Sequence, residues 1–184
     1  MKKPVYKYPD FVQNIELEKT DEKRFWLKLR IDESKSESIV VILKNPSRAN
    51  KEVSDKTVYN ICNYIYRNQD NHDVLKAVGS IVILNLMPHY QTYSNQLEPL
   101  NNEVICQQNT DTIRSFTSEH SNVIIAWGNH PKGLFKQYEF LKVQVMEILA
   151  ENSNKVFYVD KLSIAGNPKH AQIWAYNNEL KTYV

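Results

Sequence analysis

The sequence predicts an α/β fold: a three-layer α/β/α sandwich around a mostly parallel central sheet, with an N-terminal β-hairpin. Three observations carry that expectation. Ser38-Ile39-Val40-Val41-Ile42-Leu43 is a continuous β-branched run, the pattern of a strand buried on both faces. Apolar runs recur at 78–84, 123–127 and 156–159 with helical patterns between them, the alternation that builds a parallel sheet. Polar residues also stand wherever an apolar run stops, and in open α/β sheets ligands collect outside the carboxyl ends of the strands.

The elements follow in order. Residues 1–10, with Pro4 and Pro9 among tyrosines and lysines, read as an extended arm. Phe11 to Leu17 and Phe25 to Ile31 alternate around a charged turn at Lys19 to Lys23, which predicts a polar antiparallel hairpin at the sheet edge. Asp55 or Ser54 caps a helix to about Asn68, with Val58, Ile61, Cys62 and Ile65 on its apolar stripe. Then come a strand from Val78 to Leu84, a helix from Leu100 to about Glu119, a strand from Val123 to Trp127, a helix from Tyr138 to Leu149 and a strand from Val156 to Val159. With no internal repeat and no Pro/Ser-rich linker, the 184 residues are expected to form one domain: arm and hairpin over 1–37, α/β core over 38–184.

Composition excludes several classes. No apolar run approaches the length of a membrane helix and the Lys-rich start lacks the apolar stretch of a secretory signal, so a cytoplasmic address is expected and no membrane partner. A net charge of +2 and a pI near 8.4 are too mild to indicate nucleic-acid binding by themselves; local clustering matters more. Cys62 and Cys106 lie far apart without CxxC spacing, so neither a zinc site nor a four-thiolate cluster is expected, and no metal. The chain has no G-x-x-x-x-G-K-[ST] or G-x-G-x-x-G and only four glycines, which argues against a nucleotide cofactor, and Ser47 lacks the G-x-S-x-G elbow of a hydrolase.

The candidate site residues lie on the strand exits. Leu43-Lys44-Asn45-Pro46-Ser47 and Gly166-Asn167-Pro168-Lys169-His170 follow the first and last buried strands, with Asp55-Lys56-Thr57, Asn85 and Gly128-Asn129-His130 between them. Plain structural roles compete. Asn-Pro starts turns, Ser and Asp cap helices, and Trp127 follows an apolar strand as a core anchor would. His89, His120 and His130 lack metal-ligand spacing and read as surface histidines. Tyr59, Tyr64, Tyr66, Tyr90 and Tyr93 mix with basic residues either as a single-strand-binding surface or as a protein contact surface.

The ordered set LKNPSRAN, DKTV, VILNL, IIAWG and GNPKHAQIW, over about residues 39–176, resembles domain of unknown function family 1643, found in bacteria and their mobile genetic elements. The order of parts also resembles the uracil-DNA glycosylase superfamily, in its thermophile-type and mismatch-specific branches. That second resemblance implies a base pocket formed by Lys44, Asn45, Pro46, Ser47, Asn85, Asn167 and Pro168. Asn45 falls where the mismatch-specific branch has the Asn of its I-N-P-G. Asn85 corresponds to the strand Asn that reads the uracil edge, and Asn167-Pro168-Lys169 to a His-Pro-Ser loop.

A glycosylase flips a base out of the stack, holds its edge by an amide, positions a water and stabilises the leaving oxyanion. The departures bear on each role. Lys44 stands at the register of the thermophile branch's Glu, Asn167 at that of the catalytic His, and no aromatic platform follows the first loop before Tyr59. Only Cys106 falls near a position that ligates that branch's iron–sulfur cluster, so no cluster is expected. The resemblance therefore implies a pseudo-enzyme, without cofactor, that binds DNA, single-stranded DNA included, or a DNA-mimicking uracil-glycosylase-inhibitor-type protein. Arg48, Lys51, Lys132, Lys169 and His170 join Lys44 as contact residues. The alternative is an active glycosylase of altered base specificity that uses Asn45, Asp55 and His170.

Overall fold

The computed structural model describes residues 6–183, so the first five residues of the expected arm lie outside it. Its strands are β1 (Asn14–Lys19), β2 (Arg24–Arg30), β3 (Glu37–Leu43), β4 (Val78–Asn85), β5 (Asn122–Ile125), β6 (Lys155–Val159) and β7 (Leu180–Thr182). The helices are α1 (Lys56–Arg67), α2 (Asp73–Lys76), α3 (Gln107–Glu119) and α4 (Phe135–Glu151). All seven strands join one sheet in the order β1-β2-β4-β3-β5-β6-β7.

The sheet is mixed, which corrects the expectation of a mostly parallel one. β4, β3, β5 and β6 run parallel to their neighbours in the middle, whereas β1–β2, β2–β4 and β6–β7 pair antiparallel. The hairpin causes most of the difference. β2 docks against β4 through Leu27↔Ile83 and Leu29↔Ile81, and Leu27 and Leu29 are fully buried, so β2 is an interior strand and only β1 forms the polar edge.

Burial on both faces follows from the side-chain alternation of β3. Ile39, Val41 and Leu43 face the cluster that takes Val58, Ile61, Cys62 and Ile65 of α1, while Val40 and Ile42 face Ile113 of α3 and Tyr138, Leu141, Val145 and Leu149 of α4. Burying each large aliphatic side chain stabilises the fold by roughly 1.5–3 kcal/mol, and this double layer fixes the strand register. Trp127 is a core anchor on the α3/α4 side.

Two local expectations also change. The single helix foreseen from Leu100 to Glu119 is a 3₁₀ segment, Ser94–Val104, broken at Asn101 (φ 43°), then extended residues Ile105 and Cys106, then α3. His89 and Tyr64, read as surface groups, are buried, and the Tyr64 hydroxyl donates to the Asn178 carbonyl.

The topology places the site. From β3 the chain crosses to β4 on one side and later to β5 on the other, so the order reverses around β3. α1 leaves the β3 exit toward one face and α4 follows β5 on the opposite face. Diverging connections of this kind open a crevice at the carboxyl ends of the strands.

Candidate functional site

A cleft of about 550 Å³ occupies that crevice. Its walls come from the β3 exit (Lys44, Asn45, Ser47, Arg48), the start of α1 (Asp55, Lys56, Thr57), the segment 91–94 beyond β4, and the segment 170–173 beyond β6, with Tyr6 of the arm at one side. Five separate stretches of chain thus meet in one concavity.

Backbone and amide hydrogen bonds lace the loops together. Asn45 Nδ2 donates to the carbonyls of Gln91 (2.7 Å) and Pro46 (3.0 Å), and the Gln91 N–H returns a bond to Pro46 (2.9 Å). The Asn45 amide nitrogen is therefore structural, and its Oδ1 is left as the free acceptor among the described residues. Asp55 is the N-cap of α1: Oδ1 accepts from the Val58 N–H at 2.9 Å, and Oδ2 accepts from the N–H groups of Arg48 and Ala49, each at 3.4 Å. Both carboxylate oxygens are engaged, so Asp55 holds the loop and the helix end rather than standing free as a base.

Arg24 underlies this arrangement, and sequence reasoning missed it. Its side chain is buried at 1% exposure, Nη1 donates to the Ala49 carbonyl at 3.1 Å, and burial pushes its proton affinity down while the Asp55 and Tyr90 groups oppose that shift. A charge in this position ties β2 to the loop that forms the cleft wall. The only signal in the sequence was an Arg at the start of an alternating strand, which reads as a solvated charge.

His170 reaches the cleft from the far loop. It packs over Gly128, where φ is +69° and an added Cβ would meet His170 Cβ at 2.9 Å, so the glycine makes that approach possible. Asn60 of α1 donates to the carbonyls of Ala171 and Gln172 and pins the same segment. His170 Nδ1 accepts from the Gln172 N–H at 3.2 Å, which puts the proton of the neutral ring on Nε2. Burial, reinforced by the positive charge of Lys44 and opposed by Asp55, holds its pKa down at about 4. At neutral pH this imidazole is an uncharged hydrogen-bond donor.

The cleft is cationic. Lys44, Arg48 and Lys56 line it, against Asp55 as the one carboxylate among the described lining residues. Burial lowers the proton affinity of Lys44, and its Nζ makes no ion pair or hydrogen bond among the described residues. Lys56 and Thr57 open α1, where unpaired backbone N–H groups and the helix dipole favour negative charge. Tyr93, about half exposed, and Tyr6, whose ring lies 5.9 Å from that of Tyr59, put aromatic surface at the rim.

The remaining candidates lie elsewhere. Asn85, Asn167 and Pro168 are buried and do not line the cleft, and Pro46 is buried within its loop. Among the described residues Asn85 Nδ2 and Oδ1 have no hydrogen-bond partner, and Asn167 donates to Asn129 Oδ1 at 3.2 Å with its own Oδ1 unpartnered. Lys169 is held by Asp160 (2.7 Å) and Asn178 (3.2 Å). Lys51 borders a separate shallow depression beside β1, and Lys132 is exposed on the loop after β5. Among the described residues no group of three or more His, Cys, Asp or Glu could hold a metal ion, and no helix is long and apolar enough to cross a membrane.

Fold and cleft together define an α/β/α protein with a cationic site at its strand exits. The chain belongs to the family described as Protein of unknown function (DUF1643), whose sequence pattern matches residues 24–171. No curated protein and no solved structure matches it.

Proposed function

We propose that the cleft binds the phosphate-bearing backbone of DNA, single-stranded DNA first, on a uracil-DNA-glycosylase-like frame that no longer excises bases. One observation carries this reading: Lys44 and Lys56 line a cleft in which the carboxylate found among the described lining residues, Asp55, already accepts three backbone N–H groups. Unbalanced positive charge beside a helix N-terminus suits phosphate, and Tyr6 and Tyr93 offer stacking surface for unpaired bases. Base excision needs a group to activate water, and Asn45 is no general base. Asn85, the counterpart of the uracil-reading amide, is buried outside the cleft lining.

His170 favours a second reading, an active glycosylase of altered specificity using Asn45, Asp55 and His170. A neutral imidazole presenting Nε2–H is suited to stabilise a developing oxyanion, as other enzymes use it. A gel-shift titration of single-stranded DNA over a salt series tests the first reading. Contacts from Lys44 and Lys56 predict a slope of log K against log salt of about −1.4. A flat profile or no binding overturns it. Abasic product from uracil-bearing DNA that vanishes in Asn45→Ala establishes the second. Capture of a DNA-mimicking inhibitor protein, without DNA binding, transfers the face to a protein partner.

A further inference from the structure

We propose that Lys44 is a Schiff-base lysine, whose Nζ condenses with the aldehyde of a ring-opened abasic sugar in a strand lying in the cleft. The proposal rests on the nucleic-acid reading above and adds a covalent step to it. Lys44 differs from an ordinary surface lysine first in how it is held. The Leu43 carbonyl accepts the Leu86 N–H at 2.8 Å and the Lys44 carbonyl accepts the Met87 N–H at 2.9 Å, so its backbone continues the sheet ladder rather than a loop tip. The residue is partly buried and lines the cleft.

Lys44 also lacks the partner that quiets most lysines. Lys169, on the opposite loop, is bound to Asp160 and Asn178, whereas no carboxylate or carbonyl engages Lys44 Nζ among the described residues. Burial without a counter-ion enlarges the neutral amine fraction, the condition that imine-forming lysines require. The charge of Lys44 acts on His170, so the two groups share the cleft. With Nδ1 occupied by the Gln172 N–H, His170 Nε2–H is the donor available to a carbonyl oxygen.

The step balances without a further reagent. Neutral Nζ attacks the aldehyde carbon and a C–N bond forms as the carbonyl π electrons move to oxygen, which the His170 N–H stabilises. Both Nζ protons pass to that oxygen, it leaves as water, and the C=N bond of the imine remains. The phosphates flanking the sugar meet Lys56 and the first N–H groups of α1.

Borohydride reduction tests this directly. The full-length protein is incubated with a single-stranded oligonucleotide carrying one abasic site, reduced, run on a denaturing gel and mapped by peptide mass. An adduct on Lys44 is expected. Lys44→Arg, which keeps the charge, should lower it by about tenfold or more, while Lys132→Arg should retain it. An adduct on any other lysine overturns the proposal. No adduct, at a concentration where the gel shift shows the strand bound, overturns it and leaves the binding reading standing; no binding in the gel shift removes that reading as well.

Discussion

The loops after the first and last parallel strands use nearly the same residues, Lys-Asn-Pro-Ser at 44–47 and Asn-Pro-Lys-His at 167–170, yet the fold treats them oppositely. In the first, Lys44 and Asn45 face the cleft, Lys44 without a counter-ion and Asn45 with a free acceptor among the described residues. In the second, Asn167 is 2% exposed and bonded to Asn129, and Lys169 pairs with Asp160, so that only His170 reaches the cleft. Polar residues at a strand exit therefore mark the region of a site. Which of them serve it is decided by partners distant in sequence.

The sharpest way to break the first loop is Asp55→Ala. It removes the α1 cap and two loop bonds and takes from buried Arg24 the charge that most supports its own, so a loss of about 2–4 kcal/mol is expected in urea unfolding, together with loss of DNA affinity. A change below about 0.5 kcal/mol would show that the carboxylate does not organise the loop.

Acid tests the one residue that crosses between the loops. The folded pKa of His170, about 4, lies below the ordinary 6.5, so the unfolded chain takes the proton first as pH falls. Stability from this group is complete above about pH 6.5 and is lost toward pH 4, on the order of 2–3 kcal/mol after allowance for its partly solvated ring. His89 and His120, also lowered by burial, act in the same direction, so the difference between wild type and His170→Asn isolates the effect. Equal slopes for the two proteins between pH 4 and 6.5 would contradict it.

Within the second loop the effects should be smaller and confined to stability. Asn167→Ala removes the bond to Asn129 and should lower stability by about 1 kcal/mol without changing DNA affinity. Lys169→Gln breaks a solvated ion pair and should lower stability less than Asn167→Ala does, with DNA affinity again unchanged. Unfolding curves and gel shifts on the same preparations check both.

What could be read from the sequence followed local rules. The β-branched run of β3, the cap at Asp55 and the apolar stripe of α1 stand where their patterns put them. The exits of β3 and β6 were legible as polar segments for the same reason. Long-range pairing was not. Nothing local shows that β2 lies between β1 and β4, that Arg24 reaches Ala49, or that the Tyr64 hydroxyl finds Asn178. Tyr6 and Tyr93 meet at the cleft only because the arm bridges Ser54 and the 88–94 segment is tied to Pro46. The break at Asn101 and the three-residue β7 are too short to carry a period.

The most direct test of the central claim compares Lys44→Gln with Lys169→Gln in single-stranded DNA binding over a salt series. Lys44→Gln should weaken binding and flatten the log–log slope by about 0.7, one phosphate contact, while Lys169→Gln leaves both unchanged. Equal loss in the two variants, or no loss in Lys44→Gln, would contradict the assignment of the cleft as the nucleic-acid site.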